Sequence, residues 1–437
     1  MTVRSAALAA TLALVLAASR SPAQTAPRDS LRLTTLQHAA VARDPRNQEV
    51  QLLAQQSSLR LANLRAEQRL PSLRVDGYAQ YQSDVPHTPV TVPGLVIPIV
   101  PKDWYDAHLS AQQSLYDATL GARRAVETAQ LAESQARVRT TLYALRQNMN
   151  DAYFAALQAE AQIGEVQASV NDLEAQLLVA RARVSEGSAL PSEQNTIDAE
   201  LLRRRQAIAE LRAAKRAALA IVGDLAGETI DTAIALALPD PASEAASARA
   251  AIDQLRARPE YEQYARSRDV IQREEDARSA QDKPHVLAFA RGGIGRPGLN
   301  LLNPNFAAYW LAGVQVQWSP WNWGATKRDR EALTLQRQIL DADEQAFRDM
   351  LRRSVEQDIA TIDRIAAALV DDDRIIALRE RIAAESRARF GENVVTSAEY
   401  IDRQTDVLSA RTARAVHRVE LARARVHFLT TLGLEVQ

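Results

Sequence analysis

From Ile163 to Val184, apolar or small residues recur at alternating spacings of three and four: Ile163, Val166, Val170, Leu173, Leu177, Ala180 and Val184. That rhythm is the seam of a left-handed coiled coil, so it predicts a helix with a partner packed along it. The helix reaches well beyond the seam, because Ala118 to Glu186 contains no proline and only two glycines, Gly121 and Gly164. At about 1.5 Å per residue it would be roughly 100 Å long, far beyond the three or four turns of an ordinary globular helix. The nearest partner is the next helical stretch, Ser192 to Leu225, reached through Gly187-Ser188-Ala189-Leu190-Pro191. A long antiparallel hairpin with a tight tip is the first expectation.

Upstream, Leu31 to Leu70 reads as helix interrupted at Asp44-Pro45 and ended by Pro71. The period then changes to two. Leu73, Val75, Gly77, Ala79 and Tyr81 alternate with Arg74, Asp76, Tyr78, Gln80 and Gln82, which predicts a strand with one apolar and one wet face. A proline-rich loop spans Asp84 to Lys102. A second alternating segment sets Leu109, Ala111 and Leu115 against Ser110, Gln112 and Ser114.

The chain then repeats this plan. Arg258-Pro259-Glu260 echoes Asp44-Pro45-Arg46 within an expected helix from Ala245 to Asp282, and Pro284 echoes Pro71. Val286, Ala288 and Ala290 open a third strand, and Val314, Val316 and Trp318 alternate with Gln315, Gln317 and Ser319 in a fourth. A second long helix runs from Ala325 to Phe390. A tip at Gly391 to Thr396 follows, then a return helix with Ala415, Val419, Ala422, Val426 and Leu429 in register. The offset between copies is about 213 residues before the strand loops and about 205 after them, so the difference falls in a loop. The expected organisation is a signal peptide over 1–23, a first repeat over 24–227, a linker over 228–244 and a second repeat over 245–437.

Composition adds an address. The first residues carry Arg4, an apolar run from Ala6 to Ala18 and the small-x-small site Ser21-Pro22-Ala23, the marks of an export signal. That run is shorter than the roughly 20 residues needed to span a bilayer. With a net charge of −1 over 437 residues, nothing points to a nucleic-acid partner. There is no cysteine to carry a lipid anchor.

The aromatics change the picture most. All five tryptophans, Trp104, Trp310, Trp318, Trp321 and Trp323, fall within or beside the strand pairs, as in the interface girdles of membrane barrels. A soluble β-subdomain with a Trp-rich core is the plainer alternative. Four strands are too few to close a membrane barrel, for which about eight is the minimum, and open edges are not viable in lipid. Other copies must complete it.

In the order and duplication of these pieces the chain resembles the TolC-type outer-membrane efflux protein family over essentially its whole mature length. The resemblance rests on Ala42-Arg43-Asp44-Pro45, Arg258-Pro259-Glu260 and Trp318-Ser319-Pro320-Trp321-Asn322-Trp323-Gly324. It rests also on the tip phrases Ala182-Arg183-Val184-Ser185-Glu186-Gly187 and Ala388-Arg389-Phe390-Gly391, and on the closing Leu432-Gly433. It implies a mainly α fold with membrane β: a homotrimer in which twelve strands form an outer-membrane β-barrel and twelve helices a periplasmic α-barrel. It implies a passive exit duct working with a periplasmic adaptor and an inner-membrane pump. Adaptor contacts would fall at the tips, Gly187, Ser188, Ala189 and Leu190, and Asn393, Val394, Val395 and Thr396. Acidic residues lining a constriction would be Glu193, Glu399 and Asp402, positions that also suit plain helix starts. Asn393 stands where the family has glycine, and no partner arginine occupies Val395. A soluble periplasmic coiled-coil scaffold or adaptor is the alternative from another class.

No reaction chemistry is expected. Gly293-Ile294-Gly295-Arg296-Pro297-Gly298 spells a dinucleotide fingerprint, but a loop rather than a helix follows, so it reads as a strand end and turn. His38, His87, His108, His285, His417 and His427 show no metal-ligand spacing. Asp371-Asp372-Asp373 reads as a solvated run. No cofactor is implied.

Overall fold

The computed structural model describes residues 30–86, 100–252, 256–301, 303–392 and 394–435. The expected signal peptide, most of the proline-rich loop and Asn393 lie outside them.

The chain begins with two helices, α1 (Leu33–Arg43) and α2 (Arg46–Arg69). Between them Asp44 accepts from the Arg46 backbone N–H at 2.8 Å and pairs with its guanidinium at 2.7 Å. Strands β1 (Ser72–Tyr81) and β2 (Asp103–Asp117) follow. Then come α3 (Ala118–Ser185), 68 residues long, and α4 (Pro191–Ala226), 36 residues. The same order recurs as α5 (Ala242–Ala250), α6 (Pro259–Ala280), β3 (His285–Arg296), β4 (Ala307–Gln317), α7 (Ala325–Gly391) and α8 (Ser397–Leu432). The last two helices have 67 and 36 residues, within one residue of α3 and α4.

One expected helix is two. Ala245 to Asp282 breaks before Pro259, where Arg258 is extended at φ −64°, ψ 131°. The proline ring disfavours helical geometry in the preceding residue and suits the first position of a new helix.

The seam from Val166 to Ala180 is buried against Ile197, Leu201 and Ile208 of α4 and Phe390, Tyr400 and Ile401 near the second tip. A second core lies midway along the helices. There Met149, Tyr153 and Phe154 of α3 pack against α1, α4, α5 and the end of α8. The Tyr153 hydroxyl sits between the carbonyl oxygens of Leu31, at 2.7 Å, and Ala237, at 2.5 Å, where the segment after α4 crosses the chain's start. Buried Asn150 accepts from Gln37 at 2.6 Å and donates to Thr430 at 3.2 Å. Every polar group named in this core therefore has a partner, which removes the main cost of burying it.

The four strands form one antiparallel sheet in the order β1-β2-β3-β4, with β1 and β4 as open edges. Below those edges the helical wall is also open. Helix α2 packs on α3, and α7 packs on α6 and α8. Six exposed apolar residues of α7, Leu335, Ile339, Met350, Ile375, Leu378 and Ile382, share one helical face that flanks its buried one.

Candidate functional site

Residues paired across strands point to the same face, so the register assigns every strand side chain to one of two surfaces. Leu73, Val75 and Ala79 of β1 pair with Ala111, Leu109 and Tyr105. Those continue to Ala290, Gly292 and Arg296 of β3, and the row through Gly292 ends at Trp310 of β4. This surface is apolar over most of its extent and uncovered: Val75 is 80% exposed, Trp310 79% and Val316 65%. The opposite surface carries Arg74, Asp76, Asp106, His108, Ser110, Arg291, Tyr309 and Gln315. Among the described residues no helix is long and apolar enough to cross a membrane.

A β-bulge between Ser114 and Tyr116 alters the expected alternation near the end of β2. Leu115, expected on the apolar face in line with Leu109 and Ala111, is the inserted residue, and Tyr116 takes the place opposite Val286. A bulge shifts all later side chains by one. Asp117 is thereby paired with His285 on the polar surface, 3.1 Å from its Nδ1, and caps α3 by accepting from the Thr119 N–H at 2.8 Å.

Trp310 lies on the apolar surface, and Trp318, eight residues on and just past the end of β4, is exposed. Trp321 and Trp323 are exposed and meet edge to face at 6.0 Å beside Trp318. Trp104 differs: it pairs with Gln80 on the polar surface, half-buried, its indole N–H donating to the Pro101 carbonyl at 2.9 Å. The phrase around Trp318 is a joint. Its indole donates to the Asp282 carbonyl at 3.1 Å, while Asn322 and Thr326 donate to the Asp282 carboxylate at 2.9 and 2.7 Å.

At the first tip, Gly187 has φ +73°, a conformation that disfavours any residue with a Cβ. Ser188, Ala189 and Leu190 follow it, Leu190 being 65% exposed, and Pro191 opens α4. At the second, Thr396 caps α8 by accepting from the Glu399 N–H at 3.2 Å, Val394 is exposed and Val395 half-buried. Arg183 joins the two tips, donating to the Phe390 and Gly391 carbonyls at 3.2 and 2.8 Å. Glu193 and Glu399 sit in first helical turns, Glu193 half-buried, Glu399 and Asp402 exposed. Glu399 and Asp402 lie about one turn apart on α8, and Glu193 lies on α4. Arg403 pairs instead with Asp406, at 3.5 Å.

Sequence reasoning missed a second link above the tips. Asp172 of α3 pairs with Arg387 of α7, and the Tyr400 hydroxyl donates to Asp172 at 3.2 Å. Burial pushes that hydroxyl up to about 12. The three residues lie 228 positions apart at the extremes, so only the fold brings them together.

The aspartate run is a correction. Asp372 is buried and accepts from His417 Nδ1 at 2.6 Å, because it points at α8 while Asp371 and Asp373 flank it. Asp371 and Asp373 pair with Arg374 and Arg414. His427 likewise reaches across from α8 to Asp358 of α7, at 2.9 Å. The glycine fingerprint resolves as read: Gly293 and Gly295 lie within β3, and Gly298 in the turn that leads to β4.

No protein-family model matches the chain, and no curated protein matches it in sequence. Solved structures do match in fold. The chain is similar to CusC, described in terms of its folding and transmembrane channel formation, at 14% identity and TM-score 0.67, covering 92% of each chain. It is similar to the outer membrane protein VceC from Vibrio cholerae at 14% identity and TM-score 0.64, covering 93% of this chain and 97% of that one. The open state of the Neisseria gonorrhoeae MtrE outer membrane channel matches at 15% identity and TM-score 0.64, with 93% and 90% covered. The chain therefore has the fold of these outer-membrane channel proteins.

Proposed function

We propose that the chain is one subunit of an outer-membrane exit duct. The observation that carries this is the bare apolar surface of the sheet, flanked by open edges at β1 and β4. Water would make that surface an aggregation hazard, whereas lipid makes it a wall. Three copies supply twelve strands, enough to close a barrel, with β1 of one copy meeting β4 of the next. The exposed α7 face continues the same edge into the helical wall, where it meets the α2 side of the neighbour. Such head-to-tail contacts close into a ring when the rotation permits.

The two halves are tandem copies of one unit, reached after removal of an export signal, and the helices extend into the periplasm. The tips receive a periplasmic adaptor that links the duct to an inner-membrane pump. Across three copies Glu193, Glu399 and Asp402 form acidic rings at the constriction, and widening of the tips opens it. Purified protein in a planar bilayer is expected to form conducting pores. Recovery as a soluble monomer from detergent-free periplasm would instead support a scaffold.

A further inference from the structure

The polar surface of the sheet holds a side-chain cluster that the exit-duct reading does not use. His108 on β2 stands between two carboxylates: its Nδ1 meets Asp106 on the same strand, and its Nε2 lies 3.8 Å from Asp76 on β1. The Tyr309 hydroxyl on β4 donates to the other oxygen of Asp106, and the Arg291 guanidinium on β3 lies 5.8 Å from the Tyr309 ring centre. The cluster therefore spans all four strands.

It fits because β3 has glycine opposite His108 and Asp106. A Cβ at Gly293 would come within 2.5 Å of the His108 Cβ and 2.4 Å of the Ala107 carbonyl oxygen. One at Gly295 would come within 2.9 Å of the Asp106 carboxylate. The glycines that mimic a nucleotide fingerprint are the floor on which this cluster rests. Asp76 remains 44% exposed, while the His108 and Asp106 side chains are only 10% and 9% exposed.

We propose that this belt adds a pH-dependent contribution to the ion preference of the duct's bore, in series with the acidic residues at the tips. The inference rests on reading the polar surface as the wall of a channel. On that surface Arg74 and Arg291 stand against Asp76, Asp106 and Asp117, a balance of −1 per chain with both imidazoles neutral. Protonating His108 and His285 turns it to +1. Charges that are mostly covered still act on ions in the bore, since screening needs about 8 Å at physiological salt. Rings of like charge in a pore select the opposite ion. The bore wall beside the sheet thus favours cations with both imidazoles neutral and anions with both protonated.

The test is the reversal potential across a potassium chloride gradient in a planar bilayer, at about pH 8 and about pH 5. The wild-type cation-to-anion permeability ratio is expected to fall by a factor of about three or more between them. His108→Asn channels should lose roughly half of that fall on a logarithmic scale, with His285 supplying the remainder. Asp76→Asn, at the exposed member, should lower the ratio at the alkaline pH and serves as the second variant should His108→Asn fail to assemble. Conducting variants with the full wild-type pH response, or with an unchanged ratio, would overturn the belt alone. Absence of any wild-type conductance would overturn the exit-duct reading and the belt with it.

Discussion

The sheet and the helical wall solve opposite problems with the same residue types. In the hairpins the apolar residues are inside: Leu173 and Ile197 are fully buried in the seam between α3 and α4, and charges lie outside in pairs such as Arg205 with Glu174. In the sheet the order is inverted. Val75, Leu109 and Val316 point outward uncovered, and the ion pairs and hydrogen bonds gather on the other surface. A chain folding in water alone has no reason to build the second arrangement. Under the proposed function the two regions face different solvents, and only the helical region completes a core within one chain.

The strongest way to break this comparison is to place a charge where the sheet is apolar. Leu109→Arg sits near the middle of β2, and a cation on the lipid side of a barrel costs about 2–4 kcal/mol per copy at mid-depth. Membrane-inserted oligomer is expected to be lost, as read by fractionation and gel mobility, while the helical circular dichroism persists. Unchanged insertion would remove lipid from that surface. The converse change in the wall is Leu173→Ala, which leaves a cavity in a fully buried seam and should cost about 2–5 kcal/mol in denaturant unfolding of the helical signal. Leu378→Ala, on the exposed α7 face, should leave the folding of one chain nearly unchanged and weaken oligomer assembly instead.

Smaller effects sharpen the picture at the tips. The double variant Glu399→Gln with Asp402→Asn should lower cation preference or relieve cation block in bilayer conductance, since like-charge rings favour counter-ions. Unaltered selectivity would place both acids away from the constriction. The least effect concerns the clasp between α7 and α8. The hydrogen bond to Asp358 holds the His427 imidazole above its ordinary value, against the opposing effect of burial. A raised folded-state value means that the stabilisation is full below the ordinary imidazole range and is lost as pH rises through the folded value. Because the ring is 42% exposed, it is worth about 0.5 kcal/mol or less. Unfolding midpoints at about pH 6 and about pH 8.5 should differ less in Asp358→Asn than in the wild type.

Period and punctuation made most of the fold legible. The three-four seam, the switch to period two at Leu73, and Pro71, Gly187 and Pro284 as boundaries all correspond to elements that form. What was hidden depends on partners rather than on local pattern. The bulge at Leu115 cannot be read from β2 alone, because alternation continues through it in sequence and only pairing with Val286 exposes the shift. The break before Pro259 was signalled by the proline but masked by an alanine-rich flank with high helical propensity. Near the candidate sites, the position of the two tips was legible from the helix breaks at Gly187 and after Gly391. The Asp172, Arg387 and Tyr400 link and the seat of His108 on Gly293 were not, since each joins positions far apart in the chain.

Because the chain contains no cysteine, single cysteines can report which solvent each sheet surface meets. The decisive measurement is labelling of Val75→Cys and Asp76→Cys, neighbours on opposite surfaces of β1, by a water-soluble thiol reagent in intact outer membranes. The account predicts that the first stays protected while the second reacts through the bore. Equal reaction at both positions would contradict it.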